Sequence, residues 1–346
     1  MISKFDKFIL EKHGFPNSVK PYSDIVYDKC LERLEHWLKS KGKFYNLSDS
    51  FTIGFKEIRK NVIDKDFKDF PIERLKVNFK ISVIKDKKEH GFDATSYTPR
   101  TYSVENPPKS YWVNSHITGK TLFTEIELVL KVAGKSNSYP IEESKNTLRT
   151  IINHELTHVY EYTKNSSINF YFYNAISDIT KQIEDIYVLK RIRSINLFLF
   201  LLYYIEPIEM NATISEDRYK SEIMKDKSDT INMLINYNAE KEYNKYAEDR
   251  DEILRKFEWY RKRKGYKLKE MEQKRKYIAH DESGELPWME RLGEHLSKEY
   301  YLYGGPKSRK MDKISKMNLL ELFSFFEPIF HKAGEKMRRK SLLPKD

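Results

Sequence analysis

The residues His154-Glu155-Leu156-Thr157-His158 constrain this chain more than any other stretch. Histidines at i and i+4 share one face only on an α-helix, where they lie one turn apart and can converge on one metal ion. A glutamate directly after the first histidine points about 100° round the helix, where it reaches a water rather than the ion. A catalytic zinc takes three protein ligands and keeps one position for water. His154 and His158 are therefore candidate ligands and Glu155 a candidate general base. The third ligand has to come from elsewhere.

The flanking residues predict a helix over 142–164. Leu148, Ile152, Leu156 and Val159 form an apolar stripe, widened by Ile151 and Tyr162. Asn146, Asn153 and Thr157 read as its solvated side. The histidine pair falls roughly 100° from the centre of the stripe, at a boundary between core and solvent.

The stretch 153–162, NHELTHVYEY, resembles the active-site helix of the zincin metallopeptidases. Further on, 203–212, YYIEPIEMNA, is similar to the glutamate-bearing helix of the gluzincin branch, in which a later helix supplies the third ligand. The resemblance covers residues 125–216. It implies a Zn2+ cofactor, a polypeptide substrate and peptide-bond hydrolysis by Glu155-assisted attack of water. Val159-Tyr160-Glu161 follow His158, with no glycine and third histidine, which argues against the metzincin pattern. Glu161 lies too far along a straight helix to close the site and is expected to orient a histidine instead.

Glu209 is the expected third ligand, 51 residues after His158 (209 − 158), with Ala212 and Thr213 on its face. A small Ala212 would let this helix approach closely. Glu216, two turns on, is expected to support a ligand, and Glu206, just before Pro207, is the alternative ligand. An oxyanion donor is expected among Tyr162, Tyr203, Tyr204, His116 and His280, which the sequence does not rank. Residues 124–132 read either as a sheet edge that pairs with substrate or as an internal strand.

The expected fold is α+β and zincin-like: a small twisted β-sheet packed on the HExxH helix, followed by a mostly helical C-terminal half. Residues 75–81 and 126–132 alternate apolar and polar side chains, and from 141 onward the pattern is helical. Residues 183–204 read as one apolar helix. Ser23 and Asp24 read as the cap of a helix over 23–41, with Ile25, Leu31, Leu34 and Leu38 on its apolar face. The expected organisation is an N-terminal helical segment (1–45), a metallopeptidase domain (46–225) and a charged helical region (226–346).

One cysteine, Cys30, allows no internal disulfide and no cysteine-based metal site. The N-terminus lacks the apolar core of a signal peptide, and the longest apolar run, 195–205, is too short to span a bilayer. A cytoplasmic protein without a membrane span is expected. The net charge of +11 suits a lysine-rich solvated surface, or weak polyanion binding by the C-terminal helices. The second reading from another class follows from that charge: a non-catalytic, degenerate zincin acting as a basic binding or structural module for nucleic acid or an acidic protein. Arg255, Arg261, Arg263, Lys264, Lys267 and Lys269, interleaved with Trp259, Tyr260 and Tyr266, would carry it. A third reading keeps the zinc but hydrolyses a non-peptide amide.

Overall fold

The computed structural model describes residues 20–39, 47–54, 74–86, 91–97, 117–118, 121–133, 145–146, 148–154, 157–158, 171–185, 192–223, 229–262, 277–279 and 287–342. Helix α1 (Lys20–Lys39) precedes five strands: β1 (Leu47–Gly54), β2 (Arg74–Asp86), β3 (Gly91–Tyr97), β4 (Ile117–Thr118) and β5 (Thr121–Ala133). The helical residues between 145 and 158 form the motif helix. Then come α2 (Tyr171–Asp185), α3 (Arg193–Tyr204), α4 (Pro207–Ile223), α5 (Asp229–Ile235) and α6 (Ala239–Lys262). A 3-10 turn (Trp288–Arg291) leads into α7 (Leu292–Leu302), α8 (Arg309–Ile314) and α9 (Leu319–Leu342).

The expectation of an α+β fold built on a twisted sheet against the motif helix is corrected by this architecture. The described hydrophobic core comes entirely from helices and the turns beside them. Between the five strands and helices α1–α9 contact is slight at most; strands pair with strands and helices pack on helices. The physical reason lies in the apolar content of the helices. The run within α3 buries Ile195, Phe198, Leu199, Leu201 and Leu202, and α9 answers it with Phe323, Phe326 and Phe330. The Phe198 ring lies 4.7 Å from that of Phe323 and 5.8 Å from that of Phe330. Each such ring removed from water stabilises the fold by about 1.5–3 kcal/mol, so these helices bury one another without a sheet.

The strands form a ladder among themselves in the order β1-β2-β5-β3, with β4 also against β5. The alternating stretches at 75–81 and 126–132 lie within β2 and β5. β5 pairs in parallel with β2 on one side and antiparallel with β3 and β4 on the other. The edge-strand reading of 124–132 is thereby corrected: β5 is internal, and its backbone groups over 125–131 are engaged on both sides.

The single helix read over 183–204 is likewise two, because the chain is extended at Ile192, where φ is −83° and ψ 94°. Pro328 sits inside α9 without ending it. Among the described residues no single helix is long and apolar enough to cross a membrane.

The α3–α4 corner sets up the site. Pro207 opens α4, where its missing N–H costs nothing and its fixed φ suits the helix. The Met210 amide donates to the Glu206 carbonyl at 2.8 Å, closing the first turn. The two helix axes differ by 87° across this corner. The turn swings Glu209 into the interior, where only 3% of it is exposed.

Candidate metal centre

The motif helix is more deeply enclosed than its pattern predicts. Leu148 and Ile152 are buried as expected, but so are Asn153, at 2% exposure, and Thr157, at 0%. The reading of these two as solvated is corrected. Asn153 meets Ser23 of α1 and Ser215 of α4, whose positions no local pattern reveals. Thr157 Oγ1 donates to the Asn153 carbonyl at 2.8 Å, satisfying its hydroxyl within the helix.

Helix α1 lies along this helix. Arg149 stands over the Tyr27 ring at 4.4 Å and 3.8 Å from Asp24, and Lys145 lies 3.8 Å from Glu35. The buried side of α1 is Ser23, Val26, Tyr27, Cys30 and Leu34, whereas Ile25 and Leu31 are half-buried. Because α1 begins at Lys20, Ser23 is inside the helix and does not cap it. Its hydroxyl points to the motif helix and donates to Asn153.

At the next residue the donors converge. His154 Nε2 and His158 Nε2 are 3.1 Å apart. The Glu209 carboxylate closes the group, with Oε2 3.6 Å from His154 Nε2 and Oε1 3.5 Å from His158 Nε2. One ligand atom from each of the three lies within 4.8 Å of the others.

His154 Nδ1 lies 3.0 Å from Glu216 Oε2. A carboxylate offers no hydrogen, so Nδ1 carries one and donates it. In the neutral ring Nε2 then presents its lone pair to the cluster.

The electrostatics fit a cation. Burial alone would lower the His154 pKa, but the carboxylates of Glu209 and Glu216 outweigh it and hold it well above the ordinary histidine value. Burial would raise the Glu209 pKa, yet the adjacent imidazoles of His158 and His154 hold it well below the usual carboxylate range. Glu209 Oε2 is buried with no hydrogen-bond partner among the described residues. An acceptor so placed is costly unless a positive centre faces it, and two imidazoles with a carboxylate are a fitting donor set for a divalent metal.

The remaining expected residues divide. Glu216 lies against His154 as described. Glu206 is not among the converging atoms; burial and the neighbouring Glu209 push its carboxyl up to about 8. Tyr204 packs on Phe200 and Tyr203, with ring centroids at 4.5 and 5.3 Å.

Among the described residues, Tyr203 is the tyrosine that feels the Glu209 charge. Its phenol is pushed far up by burial, then by the Glu209 charge and by Tyr173, and so stays protonated. The Tyr173 hydroxyl donates to it at 3.4 Å. Tyr173, Ser23 and Ser215 were not legible as site neighbours, since their proximity depends on how separate helices cross. Glu155, Glu161, Tyr162, His116 and His280 lie outside the described residues.

Of the basic C-terminal set, Arg255, Trp259, Tyr260 and Arg261 lie on α6, the first two exposed. That helix pairs several of its own charges: Lys245 with Glu242 at 2.6 Å, Arg250 with Asp251 at 3.1 Å, and Lys256 with Glu252.

Fold and site together define a mainly helical protein with a largely buried two-histidine, one-carboxylate cluster of metal-binding geometry. Compared with protein-family models, curated proteins and solved structures, the chain matches none.

Proposed function

We propose that this protein is a zinc-dependent metallopeptidase of the gluzincin type, holding one Zn2+ on His154, His158 and Glu209 and hydrolysing peptide bonds in a polypeptide substrate. One observation carries the reading: residues from two helices far apart in sequence bring two imidazole nitrogens and a buried carboxylate within 4.8 Å of one another. Such a set leaves room for a fourth position, as a catalytic zinc site requires. Imidazole donors favour zinc over magnesium or calcium, which prefer all-oxygen shells. When bound, the ion would supply Lewis acidity toward a carbonyl and toward water.

The chain's own residues do the rest. Glu155, next to His154 in sequence, takes the proton from the attacking water and passes it to the departing amine, so that one amide and one water become a carboxylic acid and an amine. Glu216 fixes the His154 ring through Nδ1. Tyr203, neutral and partly buried beside Glu209, is the hydroxyl assigned to donate to the oxyanion.

The test is hydrolysis of a labelled unfolded polypeptide by zinc-loaded protein, beside Glu155→Gln. Cleavage by the wild type, lost in a Glu155→Gln variant that still holds zinc, is the expected result. A zinc-loaded wild type that cleaves no member of a broad peptide library would contradict the peptidase assignment.

A further inference from the structure

We propose that α1 is a working part of the metal centre, acting through a buried strut in which Ser23 and Ser215 hold Asn153 between them. The inference rests on the metal-centre reading above. Ser23 Oγ donates to Asn153 Oδ1 at 2.9 Å, and Asn153 Nδ2 donates to Ser215 Oγ at 2.8 Å. All three residues are buried, at 0%, 2% and 7% exposure. The strut therefore spans three helices: α1, the motif helix and α4.

Its position gives it a role beyond packing. Asn153 immediately precedes His154, and its carbonyl also accepts from Thr157, the residue before His158. Ser215 immediately precedes Glu216, the partner of His154, and shares α4 with Glu209. The Asn153–Ser215 bond thus sets how the helix bearing both histidines is spaced and rotated against the helix bearing both carboxylates.

Ser23 completes the amide from the opposite side. A buried amide stripped of one partner either turns away or stays unsatisfied, so both bonds are needed to hold it. Two further ties between α1 and the motif helix, Lys145–Glu35 and Arg149–Asp24, are partly exposed ion pairs at 3.8 Å, of a kind that adds little. Ser23, Asn153 and Ser215 are positioning residues, since the polar atoms of their side chains bond one another.

The test uses the full chain and Co2+ alone, whose visible absorption reports ligand geometry. Wild type is compared with Ser23→Ala and Ser215→Ala, which cut the strut from either end, so one can stand in if the other does not fold. The expected result is a roughly tenfold loss of Co2+ affinity and a shifted visible band, with helix content retained. Ser23→Thr, which keeps the hydroxyl, restores the band.

Leu34→Ala removes a fully buried side chain from the same helix without touching the strut. It should lower the melting temperature while leaving affinity and band as in the wild type. Serine variants with wild-type affinity and band would overturn the strut and leave the metal centre standing. So would a Leu34→Ala variant that shifts the band as Ser23→Ala does. A wild type that gives no cobalt band would overturn both.

Discussion

His154 Nδ1 and Glu216 Oε2 meet at 3.0 Å, and this contact determines which nitrogen of His154 faces the cluster. Cutting it should leave three donors but free the ring to turn. Glu216→Ala is expected to weaken zinc binding by about 10- to 100-fold, whereas Glu216→Gln, whose amide oxygen still accepts from Nδ1, should lose much less. Competition with a chromophoric chelator measures both. Equal losses in the two variants would mean that charge, not ring orientation, is what Glu216 contributes.

The pH dependence follows from the same cluster. His154 has a raised folded-state pKa, so its contribution to stability is complete below the unfolded value of 6.5 and is lost as pH rises through the folded value. Glu209 has a depressed one, so its contribution is complete above 4.5 and is lost as pH falls through the folded value. The two shifts share the His154–Glu209 contact, which counts once. Chelated protein should gain most from the cluster between those limits and lose that gain as the medium becomes alkaline. Zinc binds the deprotonated ring, so the rise in melting temperature on adding zinc should grow as pH increases. A zinc-induced rise that is flat or falling across this range would contradict the assignment.

Tyr203 and Tyr204 are neighbours in sequence with opposite expectations. The Tyr203 phenol faces Glu209 and is bonded by Tyr173, whereas Tyr204 packs on aromatic rings. Tyr203→Phe should lower kcat by about 100- to 1000-fold with zinc content unchanged, the range seen for loss of one oxyanion donor. Tyr204→Phe should leave both near wild type. Steady-state kinetics with metal analysis separates them, and a reversed order would move the oxyanion donor elsewhere.

Gly293 allows α7 to lie against the end of α8. A Cβ there would come 2.2 Å from the Ile314 carbonyl oxygen, which already accepts from the Met317 amide at 3.1 Å. Gly293→Ala is therefore expected to destabilise the protein by about 1–3 kcal/mol despite alanine's better helix propensity. Urea denaturation measures this, and a neutral or stabilising result would show that the two helices separate easily.

The sequence revealed some of this arrangement and hid the rest, for identifiable reasons. His154 and His158 are legible because i, i+4 spacing fixes two side chains on one face whatever surrounds them. Glu209 and Glu216 are legible through their similarity to a known helix and because both lie on one α-helix starting at Pro207.

Asn153 and Thr157 read as solvated because a polar residue on a helix looks the same whether water or another helix covers it. Ser23 read as a cap because a serine near a helix start has that propensity, and only the approach of α1 to Asn153 shows its use. Alternation located strand-like stretches in 75–81 and 126–132 but could not say whether they would line the core, and the described core is built by helices instead.

The most direct test of the account is zinc content after purification and reconstitution, measured in wild type, Glu209→Ala and Glu155→Gln. Near-stoichiometric zinc is expected in the wild type, with its loss in Glu209→Ala and its retention in Glu155→Gln. A wild type that holds no zinc after reconstitution, or a Glu209→Ala variant that keeps it, would contradict the claim that His154, His158 and Glu209 form a zinc site.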